Sequence, residues 1–76
     1  MKENQLLSAL QPGQQAVVKS IREDSSMRRR LQDLGLTPGT PVTCVLKSPL
    51  GDPAAYLIRG AVIALRCEDS RQIQLN

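Results

Sequence analysis

Ser25-Ser26-Met27-Arg28-Arg29-Arg30-Leu31-Gln32-Asp33-Leu34-Gly35-Leu36-Thr37-Pro38-Gly39-Thr40 is the stretch on which the fold of this chain turns. Met27, Leu31 and Leu34 recur at i, i+4 and i+7, the spacing of one apolar helix face. Ser25 or Ser26 can cap the helix by accepting a hydrogen bond from a free backbone N–H. Gly35 stands where a left-handed residue ends a helix, and Leu36 follows to fold back on the last turn. Thr37-Pro38-Gly39 is a second stop, because Pro38 fixes its own φ and turns Thr37 away from helix. The pattern predicts one compact, sharply ended helix delivered into a strand.

Working outward, the remaining sequence reads as short strands. Residues 1–4 are polar and predict a frayed end. Leu6, Leu7 and Leu10 precede the turn signal Gln11-Pro12-Gly13 and are expected to fold over one end of a sheet as a lid. Residues 14–21 predict the first strand, with Ala16 and Val18 on one face and Val17 and Lys19 on the other. Glu23 and Asp24 then lie near the positive end of the helix dipole. Residues 41–47 alternate as Val42, Cys44, Leu46 against Thr43, Val45, Lys47, a second strand with Pro41 at its tolerated first position. Ser48-Pro49-Leu50-Gly51-Asp52-Pro53 reads as a rigid loop. Residues 54–59 and 61–67 predict a hairpin turning at Gly60. Residues 68–70 form a polar turn with room for one 3₁₀ turn, and residues 72–75 close the chain with Ile73 and Leu75 on one face.

At 76 residues the chain is expected to be one domain, residues 1–76, near the size at which core burial only just offsets chain entropy. Tyr56 is its one aromatic residue, so the core must be aliphatic. Five short strands and one helix favour a closed or nearly closed barrel, which removes unpaired edges. The fold expected is mainly β: a small five-stranded SH3-like barrel with one helix inserted between the first two strands.

Composition excludes more functions than it suggests. The chain has no His, which removes the usual acid/base catalyst and the commonest transition-metal ligand. Its carboxylates lie in turns or beside positive charges, so no catalytic constellation and no enzyme is expected. The five glycines form no phosphate loop, so no nucleotide and no cofactor is expected. Cys44 and Cys67 fall in apolar alternating runs and are read as small reduced core or sheet residues, with a disulfide between them as the alternative. No leader and no apolar run of about 20 residues is present, so a cytoplasmic protein without membrane insertion is expected. The 10 Lys and Arg against 7 Asp and Glu give a charge of +3, compatible with an anionic partner. Lack of aromatics weakens proline-rich peptide and single-stranded nucleic-acid binding.

On the helix, Arg29 lies opposite the apolar stripe beside Asp33 and reads as a solvated face. Arg30 flanks the stripe, so its stem can cover the core while its guanidinium reaches a neighbouring carbonyl or carboxylate. Three cations in the first turn oppose the helix dipole, a mild local penalty that points to recognition.

The run Arg30-Leu31-Gln32-Asp33-Leu34-Gly35-Leu36-Thr37-Pro38-Gly39 resembles the FeoA family of bacterial ferrous iron transport. The likeness continues through Ser48-Pro49-Leu50-Gly51-Asp52-Pro53, Ile58-Arg59-Gly60, Ile63-Ala64-Leu65-Arg66 and Ile73. These separated motifs, in order, extend the likeness over nearly the whole chain. The resemblance implies an SH3-like barrel with a helical insertion, similar also to the C-terminal part of some metal-dependent repressors. It implies a non-enzymatic accessory of ferrous iron uptake that docks on FeoB, the G-protein-containing membrane transporter, from its cytoplasmic side. Transition-metal binding is a family term, but without His or clustered ligands this chain is expected to carry no iron. The surface expected to touch the partner combines Arg28, Arg30 and a partly exposed Leu31 with Pro49, Leu50, Gly51, Asp52 and Pro53. Weak self-association is compatible with such a surface. The alternative is a basic barrel serving as a nucleic-acid-associated or transcription-regulatory module through the Arg28, Arg29, Arg30 cluster.

Overall fold

The computed structural model describes residues 5–22 and 26–76. The frayed end expected at residues 1–4, the acidic pair Glu23 and Asp24 and the capping role of Ser25 lie outside the described residues. In chain order the elements are β1 (Gln5–Leu6), a 3₁₀ turn (Leu7–Ala9), β2 (Gln15–Ile21), α1 (Arg28–Asp33), β3 (Pro41–Lys47), β4 (Ala54–Ile58), β5 (Ala61–Leu65), α2 (Cys67–Ser70) and β6 (Ile73–Leu75).

All pairings are antiparallel and the strands lie in the order β1-β6-β2-β3-β4-β5. Two details differ from the expected five-stranded barrel. A sixth strand, β1, pairs Gln5 with Leu75 and Leu6 with Gln74; two residues are too few to show any alternation in sequence. The ladder also stays open between β1 and β5 among the described residues. The helix does lie between the first two long strands.

Two bulges redirect the alternation. In β3, Cys44 faces Tyr56 while Leu46 already faces Ala55, so one residue, Val45, is extra. Past a bulge the side-chain parity inverts. Leu46, expected on the same face as Val42 and Cys44, is therefore 62% exposed. Lys47 takes the inward parity instead, and its Nζ donates to the Ser8 carbonyl at 3.3 Å. A second bulge between Val18 and Ser20 does the same for β2, turning Ile21 inward after Val18.

The core is aliphatic around one aromatic ring. Leu7, Val18, Leu31, Leu36, Val42, Cys44, Ile58, Ile73 and Leu75 are each at most 1% exposed, with Tyr56 among them. Of the three residues read as a lid, Leu7 and Leu10 join the buried core, while Leu6 belongs to β1 and pairs with Gln74. Tyr56 points its hydroxyl to the Leu7 carbonyl at 3.4 Å. Burial raises its pKa above the ordinary phenol value, partly offset by a hydrogen bond with Ser70. Cys44 is a reduced core residue, but Cys67 is exposed at the start of α2 rather than in a strand. Arg66 ends the extended run there, and residues 67–70 form an α-turn rather than the 3₁₀ turn the sequence suggests.

Candidate docking surface

The helix is shorter than its flanking sequence suggests, running only from Arg28 to Asp33. Met27 holds the cap position with φ −97° and ψ 6°, and its own side chain makes no capping hydrogen bond. Ser26 lies in the preceding turn and does not cap, contrary to the expectation from sequence. The stop is as read. Gly35 has φ +102°, the Leu36 N–H donates to the Leu31 carbonyl at 3.1 Å, and the Gly35 N–H donates to the Gln32 carbonyl at 2.9 Å. This pair of bonds is the Schellman closure of a helix end. A Cβ on Gly35 would stand 2.9 Å from Arg59 Cδ and 3.3 Å from Ile58 Cγ2, so the Arg59 stem lies across the helix stop.

The expected site residues divide on burial. Leu31, read as partly exposed, is 1% exposed and belongs to the core. One helix face must bury something, and Leu31 is its centre, with Met27 and Leu34 half-buried on either side. The reach to a backbone carbonyl expected of Arg30 is made by Arg28, whose guanidinium donates to the Ile21 carbonyl at 3.3 Å. Arg29 and Arg30 both stand exposed. Arg28 stands in the first turn of the helix, where its side chain reaches the end of β2.

Pro49, Leu50, Gly51, Asp52 and Pro53 are all exposed and come together as one loop. Three hydrogen bonds hold it. Gly51 N–H donates to the Ser48 carbonyl at 2.7 Å and Ser48 N–H to the Pro53 carbonyl at 3.2 Å. Asp52 Oδ1 accepts from the Cys67 N–H at 2.8 Å. That carboxylate satisfies one of the free N–H groups at the start of α2. Leu50 is presented at 94% exposure on this braced loop. The two parts of the expected surface are thus fixed separately, the helix through Arg28 to β2 and the loop through Asp52 to α2.

Sequence reasoning missed an apolar outer face. The registers align Gln15, Thr43, Leu57 and Val62 in one cross-strand row and Leu46, Ala55 and Ala64 in the next. Val45, Leu46, Leu57 and Val62 are 40–63% exposed. Strict alternation along β4, where Ala54, Tyr56 and Ile58 point in, already assigns Leu57 to the outside; the bulge at Val45 adds Leu46. A cleft between α2 and the approach to α1, lined by Arg22, Met27, Glu68, Asp69, Arg71 and Gln72, mixes both signs of charge. Among the described residues no group of three or more His, Cys, Asp or Glu is gathered as a metal site. Among them, too, no helix is long and apolar enough to cross a membrane.

The FeoA domain family matches residues 5–76. A fusion of Fe(2+) transport protein A with the Fe(2+) transporter FeoB from Porphyromonas gingivalis is 35% identical over 69 residues, covering 91% of this chain and 8% of that protein. The chain thus spans less than a tenth of the length of this relative. An FeoA-like protein from Clostridium acetobutylicum has a TM-score of 0.91 at 29% identity over 100% of this chain and 88% of that one. FeoA of Stenotrophomonas maltophilia, solved with zinc and described as a prokaryotic SH3 domain protein, has a TM-score of 0.84 at 29% identity, covering 95% of this chain and 89% of that one. The fold is therefore that of a known family, and the chain belongs to the FeoA family.

Proposed function

We propose that this chain is a non-enzymatic accessory of ferrous iron uptake that docks on the cytoplasmic side of an FeoB-type transporter and modulates its assembly or activity. The observation that carries the reading is the fusion relative, in which an FeoA stretch and a FeoB transporter share one polypeptide. Two activities joined in one chain act at high effective concentration, which is useful when their separate counterparts must meet. The contact surface combines the exposed Arg30 and the half-buried Arg28 with Pro49, Leu50, Gly51, Asp52 and Pro53. Leu31 has no place in it, because a residue that supports the core is not available to a partner. A braced loop loses little conformational freedom on binding, so its one bare apolar side chain, Leu50, is suited to act as an anchor. The protein works by contact and carries no iron itself.

The test is an NMR titration of the full chain with the cytoplasmic domain of its transporter, together with ferrous uptake measured with and without the chain. Shifts at Arg28, Arg30 and residues 49–53, with altered uptake, support the reading. Absence of shifts at both places with unchanged uptake overturns it. Stoichiometric tight binding of Fe(II) under anaerobic conditions would overturn the statement that the chain carries no iron.

A further inference from the structure

Among the described residues, Arg59 alone combines a side chain with positive φ. It stands at +51° and Gly60 at +83°, the left-handed pair of a type I′ hairpin between β4 and β5, where Asn, Asp or Gly is the usual first residue. An arginine there works against its own backbone preference. Its side chain nevertheless has a definite course. Cδ and Nε pass 2.9 and 3.3 Å from where a Cβ on Gly35 would stand, so the bare helix stop leaves the space in which the stem lies. Arg59 also lines a notch of about 280 Å³ together with Pro38, Gly39, Thr40 and Pro41. The walls opposite it offer no donor. Pro38 and Pro41 have no N–H, the Gly39 N–H donates to the Val18 carbonyl at 2.8 Å and the Thr40 N–H to the Thr37 carbonyl at 3.1 Å. Thr40 Oγ1 is taken up with Thr37 Oγ1 at 3.0 Å. Arg59 is exposed, and among the described residues no hydrogen bond or ion pair engages its guanidinium, Asp33 included.

We propose that this notch is a binding site for a carboxylate side chain of a partner protein, Glu in preference to Asp. The methylene stem rests against Pro38 and Pro41, and the carboxylate meets the Arg59 guanidinium. The charge selects this occupant, because the cation that lines the notch is held in place by its stem and has no partner within the chain. A planar guanidinium fork matches a carboxylate with two parallel hydrogen bonds. A phosphate or a nucleic-acid backbone is recognised by several cations and backbone N–H groups, and the walls of the notch supply neither. The volume points to a protein rather than a free metabolite. It falls just short of the roughly 300 to 1,000 Å³ of pockets that enclose a small ligand, so the notch seats one side chain and leaves the rest of its bearer on the surface. That surface begins at Pro41, which pairs across with Val17, 38% exposed, and the two give apolar ground for a residue next to the Glu. The site shares no residue with the surface of Arg28, Arg30 and residues 49–53, and its chemistry does not depend on the partner being the transporter.

The experiment titrates the full chain with an acetylated, amidated peptide, Gly-Leu-Glu-Leu-Gly, followed by NMR at the Arg59 side-chain Nε–H and the amides of Gly39, Thr40 and Gly60. Saturable shifts at these groups are expected. The same peptide with Gln in place of Glu should bind about threefold more weakly, as suits an exposed charge pair, and the version with Asp should fall between. Arg59→Asn removes the guanidinium while suiting the left-handed turn, so it should keep the melting temperature and bind the Glu and Gln peptides equally. Should Arg59→Asn unfold the chain, the Glu and Gln peptides on the wild type carry the test alone. No saturable shift at millimolar peptide, or equal binding of the two peptides by the wild type, overturns the proposal. Inorganic phosphate that produces the same shifts at lower concentration than the Glu peptide, at matched ionic strength, overturns it too. So does dimerisation of the free chain in sedimentation experiments that Arg59→Asn abolishes, since the notch would then belong to a second copy.

Discussion

The carboxylate of Asp52 accepts a hydrogen bond from the backbone N–H of Cys67 at 2.8 Å, joining the β3–β4 loop to the first turn of α2 across fifteen positions of sequence. The contact is exposed, so its main product is order in the loop rather than global stability. Asp52→Ala is expected to cost about 1 kcal/mol in urea denaturation, the scale of a lost helix-end bond. Hydrogen exchange at the Cys67 amide and at the amides of Leu50 and Gly51 should speed up by more than the global change. Unaltered exchange there would show that the loop is held by its other two bonds.

Gly35 and Gly39 form a matched pair for testing the helix stop. Both have positive φ, but a Cβ at Gly35 meets Arg59 Cδ at 2.9 Å and one at Gly39 meets nothing within 4 Å. Gly39→Ala should cost about 1 kcal/mol from the backbone alone. Gly35→Ala should cost about 2 to 3 kcal/mol, since Arg59 and Ile58 must also give way. Thermal denaturation of the two variants checks the order; equal losses would mean that the Arg59 stem moves aside freely.

Leu31 and Leu50 belong to one surface in the sequence and to opposite environments in the fold. At 1% exposure, Leu31→Ala should lower stability by about 2 to 5 kcal/mol through lost burial and the cavity left behind. At 94% exposure, Leu50→Ala should change stability by less than about 0.5 kcal/mol while weakening transporter binding. Denaturant midpoints and binding titrations on the same two proteins separate the roles.

Tyr56 gives the chain an alkaline limit. Burial raises its pKa above the ordinary 10.0, so the folded state disfavours the phenolate more than the unfolded chain does. The protonated form's contribution is therefore fully present below about pH 10 and is lost as pH rises through the folded-state value. The melting temperature of the wild type should fall more steeply above pH 10 than that of Tyr56→Phe, which has no proton to lose. Parallel curves would assign the alkaline loss to other groups.

These contrasts show what the sequence carried. The helix stop was legible because Gly35, Pro38 and Gly39 act locally, through their own backbone preferences. Strand positions followed from alternation, and the inward set of β4 is as that pattern requires. The outward turn of Leu46 was not legible, because the bulge at Val45 is a property of the pairing of β3 with β4 rather than of either strand. The bond from Arg28 to the Ile21 carbonyl is likewise a tertiary contact, set by how the helix lies against the end of β2 rather than by the spacing along the helix. The loop at residues 48–53 was visible as a unit, but its brace to Cys67 is a long-range contact that local patterns do not encode. The place of β5 as the last strand of the ladder among the described residues follows from strand order, the least local property of all.

The pairing of Gln5 with Leu75 places the two margins of the described fold side by side. A domain of this kind can be hung from a longer polypeptide by a single stem, entered and left at one point, with no segment drawn across the rest of its surface. It also means that a short linker could join those margins and new ends could be cut elsewhere. Cutting between Leu50 and Gly51 would keep every strand while releasing the loop, and would separate the worth of Leu50 as a side chain from the worth of holding it still.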